Sequence, residues 1–144
     1  MQVDRSGPDD LGAIERLLVA SGLPLDGARD AFATGVVARE GGEVVGAAAI
    51  EPYGPAGLLR SVVVEPTVRG TGIGATLVES SELLARDLGI NRLYLLTETA
   101  EAWFARRGYL TIGRDVVPEP VRGSIEFTTA CSTTAVAMRR TLET

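Results

Sequence analysis

The sequence predicts an α/β fold of the α+β type, in which about four helices cover one mixed sheet of six to seven strands. The order of the predicted elements supports this, because helices come first, a hairpin follows, and a strand-helix-strand-helix-strand unit comes last. Glu40-Gly41-Gly42 between two apolar segments indicates a tight antiparallel hairpin. A hairpin combined with a strand-helix-strand unit argues against a purely parallel, doubly wound sheet.

The first half of the chain begins with a short strand and a helix. Pro8 and the acids after it suit a helix start, and Leu11, Ile14 and Leu18 recur at helical spacing until Gly22. The elements predicted here are strands over 2–5, 35–39 and 43–50, a helix from residues 6–10 to Gly22, a short helix over 26–32, and a loop over 52–57.

The second half contains the best-patterned helix, over residues 71–88, in which Ile73, Leu77 and Leu84 share one face and Gly89 follows the last turn. Pro118 and Pro120 predict a loop before the last strand. The other predicted elements are strands over 58–65, 91–97, 109–112 and 133–139 and a helix over 100–107. With 144 residues, 45% of them apolar, we expect one domain over residues 1–144.

The composition excludes several kinds of catalytic site. The chain has no histidine, all 14 of its basic side chains are arginines, and it has one cysteine, Cys131. Ser-His and Cys-His nucleophile pairs, histidine or cysteine-rich metal sites, Schiff-base chemistry and the P-loop lysine are therefore excluded, and we expect no metal. Backbone amides, carboxylates, hydroxyls, arginines or a bound cofactor must supply the chemistry.

The net charge of −5 argues against a nucleic-acid partner. The sequence begins MQVDRSGPDD, without the apolar region of a signal peptide, and its apolar runs fall short of the roughly 20 residues that span a bilayer. We expect a soluble cytoplasmic protein that binds a small molecule and no membrane.

The glycine-rich segment from Arg69 to Ala75, Arg-Gly-Thr-Gly-Ile-Gly-Ala, lies between a predicted strand and the clearest helix. Glycines allow close backbone approach, and the first N–H groups of a helix bind anions, so the segment predicts a phosphate site. A turn that only packs strand against helix is the plainer alternative. Walker A is excluded, while Gly70, Gly72 and Ala75 formally fit a Rossmann dinucleotide turn that starts unusually late after its strand.

Residues 62–74, VVVEPTVRGTGIG, resemble motif A of the GNAT superfamily of N-acetyltransferases, which runs hydrophobic-x-Val-x-Pro-x-x-Arg-Gly-x-Gly-Ile-Gly. Ala100-x-x-Trp103-Phe104-x-x-x-Gly108-Tyr109 resembles the next motif of that superfamily. Residues 118–136 are similar to the branch of arsenic-operon-associated acetyltransferases, which are akin to amino-acid N-acetyltransferases. The resemblance implies a mixed, mostly antiparallel sheet.

The resemblance further implies an N-acetyltransferase that uses acetyl-CoA as cosubstrate and a small, amino-acid-like amine as acceptor, in a direct attack within a ternary complex. It implies pyrophosphate on the glycine-rich turn, pantetheine along the preceding strand, and a Val64 N–H that supports the oxyanion. The implied cofactor-binding residues are Val62, Val63, Val64, Arg69, Gly70, Thr71, Gly72, Ile73, Gly74, Ala75, Thr97 and Phe104.

Three positions depart from the superfamily's pattern. Phe104 stands where many members have a proton-donating tyrosine, Thr97 replaces a common asparagine, and Leu58 replaces a glutamate base. Glu51 is our candidate base, acting through water, with a solvated strand-end acid as the alternative. Tyr94 and Tyr109 are further candidate acids, although the resemblance implies that Tyr109 packs in the core as the superfamily's aromatic residue does. A CoA-binding domain with little or no catalysis is therefore an alternative function.

Arg60 interrupts an apolar strand, so it predicts either a substrate carboxylate or a structural ion pair as its partner. Arg122 and Glu126 suit the carboxylate and ammonium groups of an amino acid, although exposed loop charges are common. Cys131 fits a buried small apolar side chain better than a metalloid ligand, since such sites gather several thiolates. Many members of the superfamily form dimers, so the resemblance also implies a homodimer as one option.

Overall fold

The computed structural model describes residues 1–130 and 133–142, and Cys131 lies outside this described part. The strands are β1 Gln2–Arg5, β2 Gly35–Glu40, β3 Glu43–Tyr53, β4 Ala56–Val64, β5 Arg92–Thr97, β6 Leu110–Ile112 and β7 Val136–Thr141. The α-helices are α1 Leu11–Ala20, α2 Ala28–Ala31, α3 Ile73–Asp87, α4 Glu101–Ala105 and α5 Glu119–Arg122. A single π-helical turn covers Glu126–Ala130.

The strands form one seven-stranded sheet in the order β1-β2-β3-β4-β5-β7-β6. Neighbouring strands are antiparallel except β4 and β5, which are parallel and are joined through α3. The predicted mixed, mostly antiparallel sheet is confirmed. The Rossmann alternative is wrong, because a dinucleotide-binding domain needs a largely parallel sheet.

Both faces of the sheet are covered. On one face, Ile73, Leu77 and Ile90 belong to the largest apolar cluster, in and beside α3. On the other face, Ile14 and Leu18 of α1 pack with α2 and the middle strands. A third cluster joins Val117 and the α5 residue Val121 to the far end of β4 and β5 on that second face. Helices on both faces explain why β3 and β4 are apolar along most of their length.

Three predicted boundaries are wrong. The loop predicted over 52–57 is a hairpin that turns at residues 54–55, where Gly54 has a φ of +69°. Pro52 is tolerated in β3 because β2 pairs with β3 no further than Ala49. One edge of β3 is therefore open at Pro52, and the missing N–H breaks no hydrogen bond there. The last strand is Val136–Thr141 rather than 133–139. The loop with two prolines contains α5, because proline in the first helical turn sacrifices no hydrogen bond.

An irregularity in β4 shapes the centre of the sheet. Ala47 pairs with Val63 and Ala49 with Arg60, so Ser61 and Val62 together oppose a single residue of β3. Ser61 has a φ of +57°, a left-handed conformation that costs a non-glycine residue about 1 kcal/mol. Such a β-bulge bends its strand and re-aims the groups beyond it.

Strands β4 and β5 separate just beyond this region. Their pairing consists of Ala56 with Arg92, Gly57 with Leu93 and Leu58 with Tyr94. Both strands continue, to Val64 and Thr97, without pairing with each other in the described structure. The two carboxyl-terminal halves therefore diverge and leave a gap in the middle of the sheet.

Candidate functional site

The glycine-rich turn leads directly into α3. Gly70 and Gly72 have φ angles of +85° and +88°, which glycine adopts at little cost. Gly72 caps the helix, and the first helical hydrogen bond runs from the Thr76 N–H to the Gly72 carbonyl. The amides of residues 73–75 precede that bond at the positive end of a 15-residue helix. The turn therefore has the geometry of an anion site.

A cavity of about 740 Å³ opens at this turn. Of the residues predicted to bind the cofactor, it is lined by Val62, Val63, Val64, Arg69, Gly70, Gly72, Ile73, Gly74, Ala75 and Phe104. Thr97 lines a neighbouring cavity instead. Thr71 lines neither and donates its hydroxyl hydrogen to the Val68 carbonyl at 2.6 Å. Ten of the twelve predicted cofactor-binding residues therefore line one cavity, and Thr71 and Thr97 lie outside it.

Two arginines line this cavity. The Arg69 Nε donates to the Val64 carbonyl at 3.1 Å, and its Nη2 donates to the Ser21 hydroxyl at 2.9 Å. The Arg107 guanidinium carbon lies 3.7 Å from the centre of the Trp103 ring, and its Nη1 donates to the Trp103 carbonyl at 3.0 Å. Among the described residues, none of the side chains lining this cavity is acidic. The cavity is therefore positive in a chain with a net charge of −5.

A second cavity, of about 470 Å³, occupies the gap between β4 and β5. It shares Ser21, Leu23, Val62 and Phe104 with the first cavity, so the two adjoin. The Glu65 N–H donates to the Val45 carbonyl of β3 at 2.8 Å. Because successive N–H groups alternate sides along a strand, the Val64 N–H points away from β3 and into the gap.

Arg60 lies at the inner end of the second cavity, and its side chain is 0% exposed. Its guanidinium donates to the Ser61 hydroxyl at 3.1 Å, to Glu51 Oε2 at 3.0 Å and to the Asp26 carbonyl at 2.7 Å. Glu126 Oε2 lies 3.6 Å from Arg60 Nη2. Arg60 is thus held in an internal ion-pair cluster.

Glu51, the candidate base, has both carboxylate oxygens engaged. Oε2 accepts from Arg60, and Oε1 accepts from the Tyr53 hydroxyl at 2.6 Å. Burial, followed by the contact with Glu51, raises the pKa of Tyr53 to about 12. Glu51 lines a third cavity, of about 350 Å³, rather than the gap between β4 and β5. Arg60 therefore stands between Glu51 and the gap.

The candidate tyrosine acids lie outside the two adjoining cavities. Tyr109 is buried, and its hydroxyl donates to Glu82 Oε2 at 2.8 Å beneath α3. Burial, with Glu82 adding to it, raises the pKa of Tyr109 well above its usual range. Tyr94 is buried with Val117 and Val121. Phe104, at the position of the superfamily's tyrosine, lines both cavities.

Of the remaining predicted site residues, some line a cavity and one does not. Glu126 is buried and lines the second cavity, whereas Arg122 is exposed on α5 and lines none of the three cavities. The Thr97 hydroxyl accepts a hydrogen bond from the Ala100 N–H at 3.0 Å, in the turn just before α4. Its hydroxyl therefore has a local structural partner.

Sequence reasoning missed Arg107 and the segment that follows α1. Arg107 could have been found from its position one turn after Trp103, which places both on one side of a helix. Ser21 and Leu23 line both adjoining cavities. The sequence around them looks like an ordinary helix end, so it gives no signal of a binding role. Tyr53 lies in the predicted loop over 52–57, and only its place at the end of β3 brings its hydroxyl to Glu51.

The described residues contain neither a membrane-spanning helix nor a cluster of metal ligands. None of the helices among them is both long and apolar enough to cross a membrane. Among the same residues, no three His, Cys, Asp or Glu side chains are grouped so as to hold a metal ion.

The chain is similar in sequence to curated proteins named amino-acid acetyltransferase. Amino-acid acetyltransferase of Ralstonia nicotianae is 33% identical over 126 residues, which are 79% of this chain and 27% of that protein. The protein of the same name from Mycobacterium tuberculosis is 39% identical over 72 residues, 49% of this chain and 41% of its own length. The matched part of the chain thus spans less than half the length of each of these relatives.

Solved structures share the fold over nearly the whole chain. N-acetylglutamate synthase of Neisseria gonorrhoeae, solved with coenzyme A and N-acetyl-glutamate, has a TM-score of 0.86 at 23% identity, covering 99% of this chain and 35% of that one. A Mycobacterium tuberculosis protein solved with CoA has a TM-score of 0.84 at 27% identity, covering 99% and 100%. The model of the Acetyltransferase (GNAT) family matches residues 8–109. The chain therefore belongs to the GNAT acetyltransferase family.

Proposed function

We propose that this protein transfers an acetyl group from acetyl-CoA to the amine of a small acceptor. The observation that carries the proposal is the cavity of about 740 Å³ at the glycine-rich turn, which combines helix N–H groups with Arg69 and Arg107. A site with donors and positive charge but no acidic lining among the described residues fits the phosphates of coenzyme A. Coenzyme A is bound in both neighbouring structures named above.

The chain's own groups have separate roles in this proposal. The amides of residues 69–75 hold the pyrophosphate, with the two arginines as counter-charges. The open edge of β4 from Val62 to Val64 accepts the pantetheine arm, since it is not paired with β5. When bound, acetyl-CoA supplies the thioester that the acceptor amine attacks directly in a ternary complex.

The Val64 N–H is proposed to stabilise the negative charge that develops on the thioester oxygen. The bulge at Ser61 supports this role, because it re-aims the strand just before Val64. The Arg69 Nε bond to the Val64 carbonyl anchors the same residue. A donor fixed before the reaction begins costs no reorganisation during it.

The site offers few side chains that could transfer a proton. Glu51 remains the proposed base. Because Arg60 lies between Glu51 and the gap, a proton from the acceptor amine would reach Glu51 through water molecules. None of the described residues lining the two adjoining cavities is a tyrosine, and Phe104 has no proton to give. General acid catalysis contributes about 10²–10⁴-fold, so water as the proton donor gives a slow enzyme rather than an inactive one.

The acceptor is proposed to be amino-acid-like, with Arg60 and Glu126 beside it, because both line the gap. Arg122 lines none of the three cavities, so its contact with the acceptor stays a prediction. The names of the curated relatives support an amino-acid acceptor. The single seven-stranded sheet supports one acetyltransferase domain over residues 1–144. The cytoplasmic location and the homodimer stay predictions.

The test is a thiol-release assay with acetyl-CoA and a panel of amines and amino acids, combined with calorimetry of acetyl-CoA, CoA and NADH. We expect micromolar CoA binding and turnover of at least one acceptor class. NADH binding without CoA binding would overturn the proposal. CoA binding without turnover across the panel favours the alternative, a CoA-binding domain, which the absence of a tyrosine from the described lining supports.

A further inference from the structure

Arg60 is the sole cation among the described residues that line the gap between β4 and β5. A guanidinium has five N–H groups, and three of them are engaged by Ser61, Glu51 and the Asp26 carbonyl. The side chain is fully buried, and a Cβ added at Gly27 would lie only 3.2 Å from its Nη1. An acceptor carboxylate therefore has little of the guanidinium left to bind.

Glu126 faces Arg60 from the cavity side. Its Oε2 lies 3.6 Å from Arg60 Nη2, its side chain is 8% exposed, and both residues line the gap. Glu51 contacts the same guanidinium but lines the third cavity instead. Two carboxylates on one guanidinium leave a formal charge of −1, and Glu98 adds a further acid to the lining of the gap.

We propose that Glu126 determines acceptor specificity by occupying the place on Arg60 that an acceptor carboxylate would take. The protein then prefers amines whose neighbouring carboxylate is absent or neutralised, such as amino-acid amides, over free amino acids. The inference rests on the proposed acetyl transfer, because it treats the gap as the acceptor site.

The physical reason is repulsion between like charges inside a partly enclosed cavity. A free amino acid brings a third carboxylate toward a guanidinium that already faces two. An amino-acid amide has the same side chain and amine without that charge. A carboxylate pair several ångströms apart, with the effective dielectric constant of a partly solvated site, accounts for about a tenfold difference in affinity.

The experiment compares each free amino acid with its own α-amide at pH 7. Calorimetry on the CoA-loaded protein gives the two dissociation constants, and thiol release with acetyl-CoA gives the two kcat/KM values. The variants are Glu126→Gln, which removes the charge and keeps the shape, and Glu126→Asp, which keeps the charge. Glu119→Gln is the matched control, since Glu119 is exposed on α5 and lines none of the cavities.

We expect the wild-type protein to favour the amide, Glu126→Gln to reduce that preference about tenfold, and the other two variants to keep it. A Glu126→Gln ratio equal to that of the wild type overturns the inference. So does an equal weakening of acid and amide, which would show that Glu126 binds the amine. If nothing turns over but the calorimetric ratio shifts as expected, the acetyl transfer fails while the specificity of the cavity stands.

Discussion

Neutralising Arg107 by Arg107→Gln is expected to weaken CoA binding about tenfold. The guanidinium is held 3.7 Å above the Trp103 ring and by the Trp103 carbonyl, so its charge has a fixed place in the cavity wall. The other cation in the lining is Arg69, on the glycine-rich turn. The two arginines come from different segments of the chain, and both are expected to attract the phosphates of coenzyme A.

The magnitude follows from the environment of the side chain. A hydrogen bond to a charged group contributes about 1.5–3 kcal/mol when it is well shielded. Arg107 is half-buried, so solvent screening reduces this to about 1–2 kcal/mol, and 1.4 kcal/mol corresponds to a factor of ten in Kd. Glutamine retains an amide donor and part of the stem, so the loss is chiefly that of the charge.

The assay is calorimetric titration with CoA at low and high salt, with Arg106→Gln as the matched control. Arg106 is the preceding residue, exposed and outside the cavity lining. We expect Arg107→Gln to bind more weakly and with less salt dependence, while Arg106→Gln matches the wild type. Equal effects of the two variants would refute the reasoning, because they would show a response to net charge alone.

Three further outcomes are expected. Arg69→Ala weakens CoA binding by about 1–3 kcal/mol through the loss of charged hydrogen bonds, and unchanged calorimetric affinity would contradict its phosphate role. Tyr109→Phe removes a donor from buried Glu82 and lowers the free energy of unfolding in urea by about 1–2 kcal/mol, with CoA affinity unchanged. The hydrogen bonds from Arg39 hold the pKa of Asp10 below its ordinary value of 3.8. The stabilisation by Asp10 is therefore present above about pH 4 and lost as pH falls through the lowered pKa. Asp10→Asn should be less stable than the wild type in urea at pH 7, and the difference should shrink near pH 3; a constant difference would contradict this.

The local parts of this structure could be predicted from the sequence. Glycines with left-handed φ angles, such as Gly70 and Gly72, have a conformational reason that depends on few neighbours. The apolar spacing of α3 likewise reports its buried face directly. The glycine-rich turn and the order of strands and helices can therefore be predicted from the sequence alone.

The partners of Arg60 could not be predicted, because they come from three separate segments. Glu51 ends the apolar part of β3, Asp26 precedes α2, and Glu126 begins the π-helical turn. Only the packed sheet brings them to one guanidinium. The choice between a structural ion pair and a substrate contact therefore depends on tertiary packing, and so does the orientation of Arg107 in the turn after α4.

The early separation of β4 from β5 has a consequence for thermal stability. The strands β1–β4 and β5–β7 are connected within the sheet through three pairs of residues, 56–58 with 92–94. A ligand lying along the open edge of β4 ties the two parts together and binds the native state alone. At a free concentration one hundred times its Kd, such a ligand adds about 2.7 kcal/mol to the free energy of unfolding. The melting temperature and the amide-hydrogen exchange of β4 then vary with the supply of that ligand.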